Sequence, residues 1–300
     1  MSKLMLTFDY EGAWGMPGSA LFNQVKTTGQ ILALLRKHQA KAVFFVTGKL
    51  VEEYPELICA MAKDGHEVGL HGYSHEHQHD LNTHQLVLLL GNLAKTSQQI
   101  EQLTGHKPKG YRSPYLMGPK FYDPEVYRGL YGIGMSWISN REIRQPEELA
   151  RPDRLPSLAK LLRWPILRNI ILVALNFNLI INDPLDGKMS LYQRFNWLIT
   201  GQGPFQRPEG QIEYPLTSPL DCDMLGMPSP AIASDPRDTE YILQTLLRLK
   251  LRHPIYYNLN FHDWIIGSNN RLIILDNLLA AWEKHGKIEY HLPSINGELS

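Results

Sequence analysis

The feature that most limits the architecture open to this chain is where its chemistry-bearing residues stand. Each closes a short apolar stretch, and those stretches alternate with helical ones. Residues 4–8 run into Asp9 and Glu11, residues 66–70 into His71 and His75, residues 109–111 into Arg112, and residues 256–261 into His262. Residues 25–37, 52–63, 83–103 and 271–284 carry helical periodicity between or after them. Short apolar strands alternating with helices specify parallel strands and crossover helices. Such folds gather functional residues at the C-terminal ends of the strands. The expected fold is α/β: a distorted (β/α) barrel of parallel strands, complete or incomplete, with one inserted helical segment.

The two histidines set a geometric condition. On a continuing strand, positions four apart lie about 13 Å from each other, at about 3.3 Å per residue. That is too far for one cation with Zn–N bonds of about 2.0–2.1 Å. If His71 and His75 share a metal, the strand stops near Leu70, the chain turns at Gly72, and the imidazoles converge. Asp9 and Glu11, two apart on a strand, point to one side. One can bind a metal while the other acts as a base.

Four motifs follow one another: Thr7-Phe8-Asp9-Tyr10, His71-Gly72-Tyr73-Ser74-His75, Arg112-Ser113-Pro114, and the strand ending at His262. In type and order they resemble the NodB-homology polysaccharide deacetylases, metal-dependent enzymes that remove N- or O-acetyl groups from sugars. The resemblance implies a barrel fold and a divalent metal, with zinc best suited to the ligand set. It implies Asp9 as catalytic base, Arg112 pairing with Asp9, His262 as acid to the leaving group, and backbone near Tyr115 at the oxyanion. The chain departs from the family at Tyr10, where the metal-binding Asp is expected. Glu11 returns to the face of Asp9 and is assigned that role beside His71 and His75, a D-x-E form of the first motif. The fourth family motif also lacks its Asp in residues 135–140, leaving Asp263 as the candidate partner of His262. The expected substrate is a sugar or glycan precursor. A small cyclic or ureido amide, and a non-catalytic sugar-binding role, are the alternatives. His77 and His79 are expected to face solvent, and no G-x-S-x-G marks a serine nucleophile.

Lys+Arg and Asp+Glu both total 30, so no global charge attracts nucleic acid. Cys59 and Cys222 form no disulfide framework, and Cys59 is expected in the core. No leader-like pattern opens the sequence, which gives a cytoplasmic expectation. The chain reads as one domain, 1–300, with an insertion at about 140–208. The apolar run there is short for a span of about 20 residues and is broken by Arg168, Asn169, Asn176 and Asn178. It reads as a helical segment on the barrel, with peripheral membrane contact through 160–181 as the sharper expectation.

Overall fold

The computed structural model describes residues 2–13, 22–78, 80–116, 123–143, 164–175, 177, 192, 204–217, 220–225, 256–268, 271–285 and 288–296. Most of the 140–208 insertion, residues 238–251, whose sequence also reads as helix, and His79 lie outside the described residues.

The first strand, β1 (Ser2–Tyr10), is apolar on both faces, with Met5, Leu6 and Phe8 fully buried. A strand buried on both faces belongs inside a parallel sheet. It pairs with β2 (Val43–Val46) on one side. From there the sheet continues through β3 (Glu67–Leu70), β4 (Gly110–Tyr111) and β5 (Trp137–Ile138). A separate parallel pair is formed by β6 (Glu142–Ile143) and β9 (Leu216–Thr217). The far edge is the antiparallel pair of β7 (Phe205–Gln206) and β8 (Ile212–Glu213), with β8 parallel to β5. On the other flank β1 pairs with β10 (Tyr256–His262), and its first residues also pair with β11 (Ile288–Tyr290).

The strands are mostly parallel and curl into a half-barrel with helices around it. Among the described residues no ladder joins β8 to β10. Side chains bridge that gap: Asn258 donates to Ser139 Oγ at 2.8 Å and to the Tyr214 carbonyl at 2.9 Å. Of the two forms the sequence leaves open, the barrel is thus the incomplete one, open in its ladder and bridged by polar side chains.

Two expected elements are divided. The helix expected over 52–63 is two, Gly48–Glu53 and Pro55–Lys63. Pro55 brings no N–H and disfavours helical backbone at Tyr54, which sits at φ −135°. Residues 211–216 read as one strand in the sequence but break at Pro215 into β8 and β9 for the same want of a donor. Cys59 is half-buried rather than in the core, its thiol directed at the Leu103 carbonyl. No helix of the described residues is long and apolar enough to cross a membrane. In the helix Pro165–Leu175 and beside it, Trp164, Ile166, Ile170 and Phe177 are exposed.

Candidate active site

Register delivers the site. In the parallel ladders Asp9 stands opposite His262 on β10 and Phe45 on β2, and Leu70 opposite Tyr111. The residues just past β3 and β4 are His71 and Arg112, still bonded in ladder fashion: His71 N–H to the Val46 carbonyl and Arg112 N–H to the Leu70 carbonyl, both 2.9 Å. All the motif residues therefore meet at the C-terminal end of the sheet.

His75 reaches the same space through a left-handed turn. Gly72 has φ +74°, and a Cβ there would lie 3.0 Å from the Pro114 ring. Only glycine takes that conformation without strain. His75 itself has φ +59°. The Glu76 carboxylate holds the loop, accepting from the Ser74 N–H at 2.6 Å and the Tyr73 N–H at 3.2 Å. The two imidazole centroids end 5.4 Å apart, so the convergence the spacing demanded is present.

Glu11 lies between them. Its Oε2 is 2.7 Å from His75 Nε2 and 3.1 Å from His71 Nε2. Its Oε1 accepts from the Trp264 indole at 2.9 Å, so one oxygen is anchored and the other is presented. The His71 Nδ1–H donates to the Arg112 carbonyl at 2.9 Å, which orients the ring with Nε2 towards Glu11. Tetrahedral bonds of about 2.0–2.2 Å to these donors imply donor separations of about 3.3 Å. The three side chains, all buried and with ligand atoms within 4.8 Å of one another, offer a donor set that fits a divalent cation after small side-chain shifts. Burial pushes the Glu11 carboxyl up, but the two histidines outweigh it and hold Glu11 well below the usual carboxylate range.

Asp9 stands next to this group. Its Oδ1 accepts from Arg112 Nη1 at 2.6 Å and its Oδ2 from Asn260 Nδ2 at 3.0 Å. Burial raises its pKa, and Arg112, then His71 and His262, reverse the direction. Arg112 is fully buried, so a surface salt bridge is excluded. Its other donors go to the Ser139 carbonyl and hydroxyl, Asn260 and Thr7.

His262 Nε2 lies 3.7 Å from Asp9 Oδ2. Its partner is Asp221, not the expected Asp263. Asp221 Oδ1 accepts the Nδ1–H at 2.6 Å and Oδ2 the His262 backbone N–H at 2.7 Å. Burial lowers the His262 pKa, but the Asp221 charge and hydrogen bond, helped by Glu11 and Asp9, push it up to about 10. Asp263 instead faces the end of β1, accepting from the backbone N–H groups of Glu11 and Gly12 and from Gln24. It holds the Glu11 turn rather than the histidine.

These groups line a cavity of about 280 Å³, whose less polar side is made by Tyr115, Leu116, Leu220, Cys222, Trp264 and Ile265. Tyr115 and Leu116 have φ of +59° and +55°, an uncommon pair of left-handed residues at the rim. His77 is exposed and stacks on Tyr115 at 3.9 Å between centroids, as a solvent-facing residue. Tyr10 points away into the core, its hydroxyl 2.6 Å from Thr28 Oγ1.

The sequence reading missed Asp221, Trp264, Asn258 and Asn260. Asn258, Asn260 and His262 alternate along β10, a period-two polar pattern that could have exposed the two asparagines.

A family model described as polysaccharide deacetylase matches residues 2–126. Over 89 residues the chain is 39% identical to the peptidoglycan-N-acetylmuramic acid deacetylase PdaC of Bacillus subtilis, covering 30% of this chain and 18% of that protein. Among solved structures it is similar to a protein of Pseudomonas aeruginosa PAO1 described as a probable polysaccharide deacetylase (12% identity, 97% of this chain and 88% of that one, TM-score 0.62). It is equally similar to Puue allantoinase (13% identity, 97% of this chain and 87% of that one, TM-score 0.62). At these identities the two structures show a shared fold. The matches to the first curated relatives span between about a fifth and a third of those proteins' length.

Proposed function

We propose that this chain, whose residues 2–126 match a family model described as polysaccharide deacetylase, hydrolyses an acetyl group, N-linked or O-linked, from a sugar of a glycan or glycan precursor. The observation that carries the reading is the place of Asp9. Its Oδ2 is 4.0 Å from His71 Nε2 on one side and 3.7 Å from His262 Nε2 on the other. A base thus lies between a metal-competent trio and an acid.

Glu11, His71 and His75 would hold a divalent cation, which we take to be zinc. When bound, such an ion supplies Lewis acidity, bringing a water's pKa towards about 7 and polarising the acyl carbonyl. The protein's own groups do the remaining work. Asp9, kept ionised by Arg112 and oriented by Asn260, accepts the proton of the attacking water. His262 stays protonated at neutral pH because Asp221 accepts its Nδ1–H, so Nε2–H is available to the departing amine or alcohol. The turned backbone at Tyr115 meets the oxyanion, and Leu220, Trp264 and Ile265 enclose a short acyl group. The resemblance to a peptidoglycan deacetylase supports a glycan over a small amide.

The deciding experiment supplies zinc-loaded full chain with peptidoglycan fragments, N-acetylated oligosaccharides and cyclic ureides. Acetate release from a glycan supports the reading; turnover of a cyclic ureide alone would overturn it. The exposed Trp164, Ile166 and Ile170 also favour peripheral contact with lipid, which suits a lipid-linked sugar. Failure to float with anionic liposomes would remove that part.

A further inference from the structure

Cys222 has no place in the reaction above, yet it lies on the cavity wall beside the acid. The carboxylate of Asp221, the thiol of Cys222 and an imidazole nitrogen of His262 each offer a ligand atom, all within 4.8 Å of one another. Asp221 is fully buried and Cys222 half-buried, and Cys222 and His262 both line the cavity. The Asp221 Oδ1 to His262 Nδ1 distance is 2.6 Å, as short as the closest contact in the Glu11 trio, 2.7 Å. One oxygen, one nitrogen and one sulfur with an open side towards a cavity is a donor set for a borderline or soft divalent cation, not for magnesium or calcium.

We propose that Asp221, Cys222 and His262 form a second, inhibitory cation site for zinc-class ions. The ion enters as the Nδ1 proton of His262 and the thiol proton of Cys222 leave to solvent. Its three bonds, of about 2.0–2.3 Å, replace the hydrogen bond between Asp221 and His262. The Nε2–H that remains belongs to a cation-bound imidazole, a far weaker acid than the imidazolium Asp221 had stabilised, and the leaving group goes unprotonated. The inhibitory effect rests on the reading of His262 as the acid; the binding itself does not.

Cobalt(II) distinguishes the two sites, because only the second contains sulfur. The metal-free full chain is titrated with cobalt while its spectrum and its acetate release are followed. The first equivalent should give visible d–d absorption without a thiolate band and should support turnover. The second should add a thiolate-to-cobalt charge-transfer band in the near ultraviolet as turnover falls. In Cys222→Ser the first-equivalent spectrum should persist, which verifies folding. The charge-transfer band should vanish, and the inhibition constant, set against the variant's own one-metal activity, should rise at least tenfold. The proposal is overturned if excess cobalt produces no thiolate band, if the band survives in Cys222→Ser, or if it appears with the first equivalent. Loss of the first d–d spectrum would instead count against the Glu11, His71 and His75 centre, so the two failures are told apart.

Discussion

The two ends of the half-barrel bury ionisable groups by opposite means. At the C-terminal end, Asp9 sits against Arg112 and Glu11 against two histidines, and both carboxyls are held below their ordinary range despite burial. At the N-terminal end, Glu67 opens β3, and among the described residues no cation is bonded to it. Its oxygens accept from the Ser294 N–H at 3.0 Å and from the Ser294 hydroxyl, and burial pushes it up to about 7. His66, next to it, is driven by burial down to about 4, its Nδ1 accepting from the Ala42 N–H at 3.3 Å. Burial alone neutralises a side chain; burial with a placed counter-charge keeps it ionised and available for chemistry. That is why equally dry surroundings yield structure at one end and a candidate catalytic centre at the other.

The largest effect that can break this contrast is expected at Asp9. Asp9→Asn keeps the shape and the Arg112 contact on Oδ1 but removes the base, and kcat should fall about 10³-fold, within the range for a lost general base. Metal content, measured by elemental analysis, should not change. If kcat falls less than tenfold, the C-terminal end does not use its charge as argued.

At the opposite end the readout is stability. Glu67 and its unfolded counterpart are both protonated below pH 4.5, so no difference arises there. As pH rises, the unfolded chain ionises first while the folded state keeps the proton until about pH 7, and folding loses ground across that window. The gap from 4.5 to about 7 is worth about 3 kcal/mol when fully expressed. Denaturant unfolding of Glu67→Gln should therefore match the wild type at pH 4 and exceed it by up to about that amount at pH 8. Equal stability at both pH values would mean that Ser294 solvates the carboxylate well enough to keep it charged.

How far each end could be read from the sequence follows from the range of the interactions. Asp9, Glu11, His71, Arg112 and His262 were legible because each closes an apolar run, and a parallel sheet aligns such ends by itself. The turn at Gly72 was legible from the metal's demand on spacing, although the left-handed backbone of His75 was not, since the Glu76 bonds that hold it have no sequence pattern. Asp221 was invisible: it lies 41 residues from His262, on a five-residue helix whose position no periodicity specifies. Asp263 was the natural choice by adjacency, and the chain uses it one step away, to brace Glu11. The breaks at Pro55 and Pro215 were legible in principle, because proline lacks the donor each continuous element would need.

Trp264 sharpens the contrast from within the site, since an indole that reads as core holds one oxygen of Glu11. Trp264→Phe keeps most of the packing and deletes the hydrogen bond of 2.9 Å. Partners of metal ligands at this remove are typically worth 10–100-fold in affinity. Zinc affinity measured against a competing chelator should fall by about tenfold, with stability nearly unchanged. An unaltered affinity would show that Glu11 is positioned by Asp263 and the β1 backbone alone.

The smallest effect at neutral pH, and the most informative about charge, is expected for Asp221→Asn. The Asp221 carboxylate favours the charged form of His262 and is the main reason its pKa reaches about 10. Neutralising it leaves burial, which favours the uncharged form, opposed only by the more distant Glu11 and Asp9. The acid is active while protonated, so the rate should decline on the alkaline side as His262 loses its proton. In the wild type that limb belongs near pH 10; in Asp221→Asn it should move down by at least one pH unit, while kcat at pH 6 falls about tenfold or less. A merely structural role for Asp221 would lower kcat evenly at every pH and leave the limb in place. The same substitution should weaken the inhibitory cation site, so excess zinc should slow the variant less than the wild type. A limb that moves together with relief of zinc inhibition would tie both properties to one carboxylate.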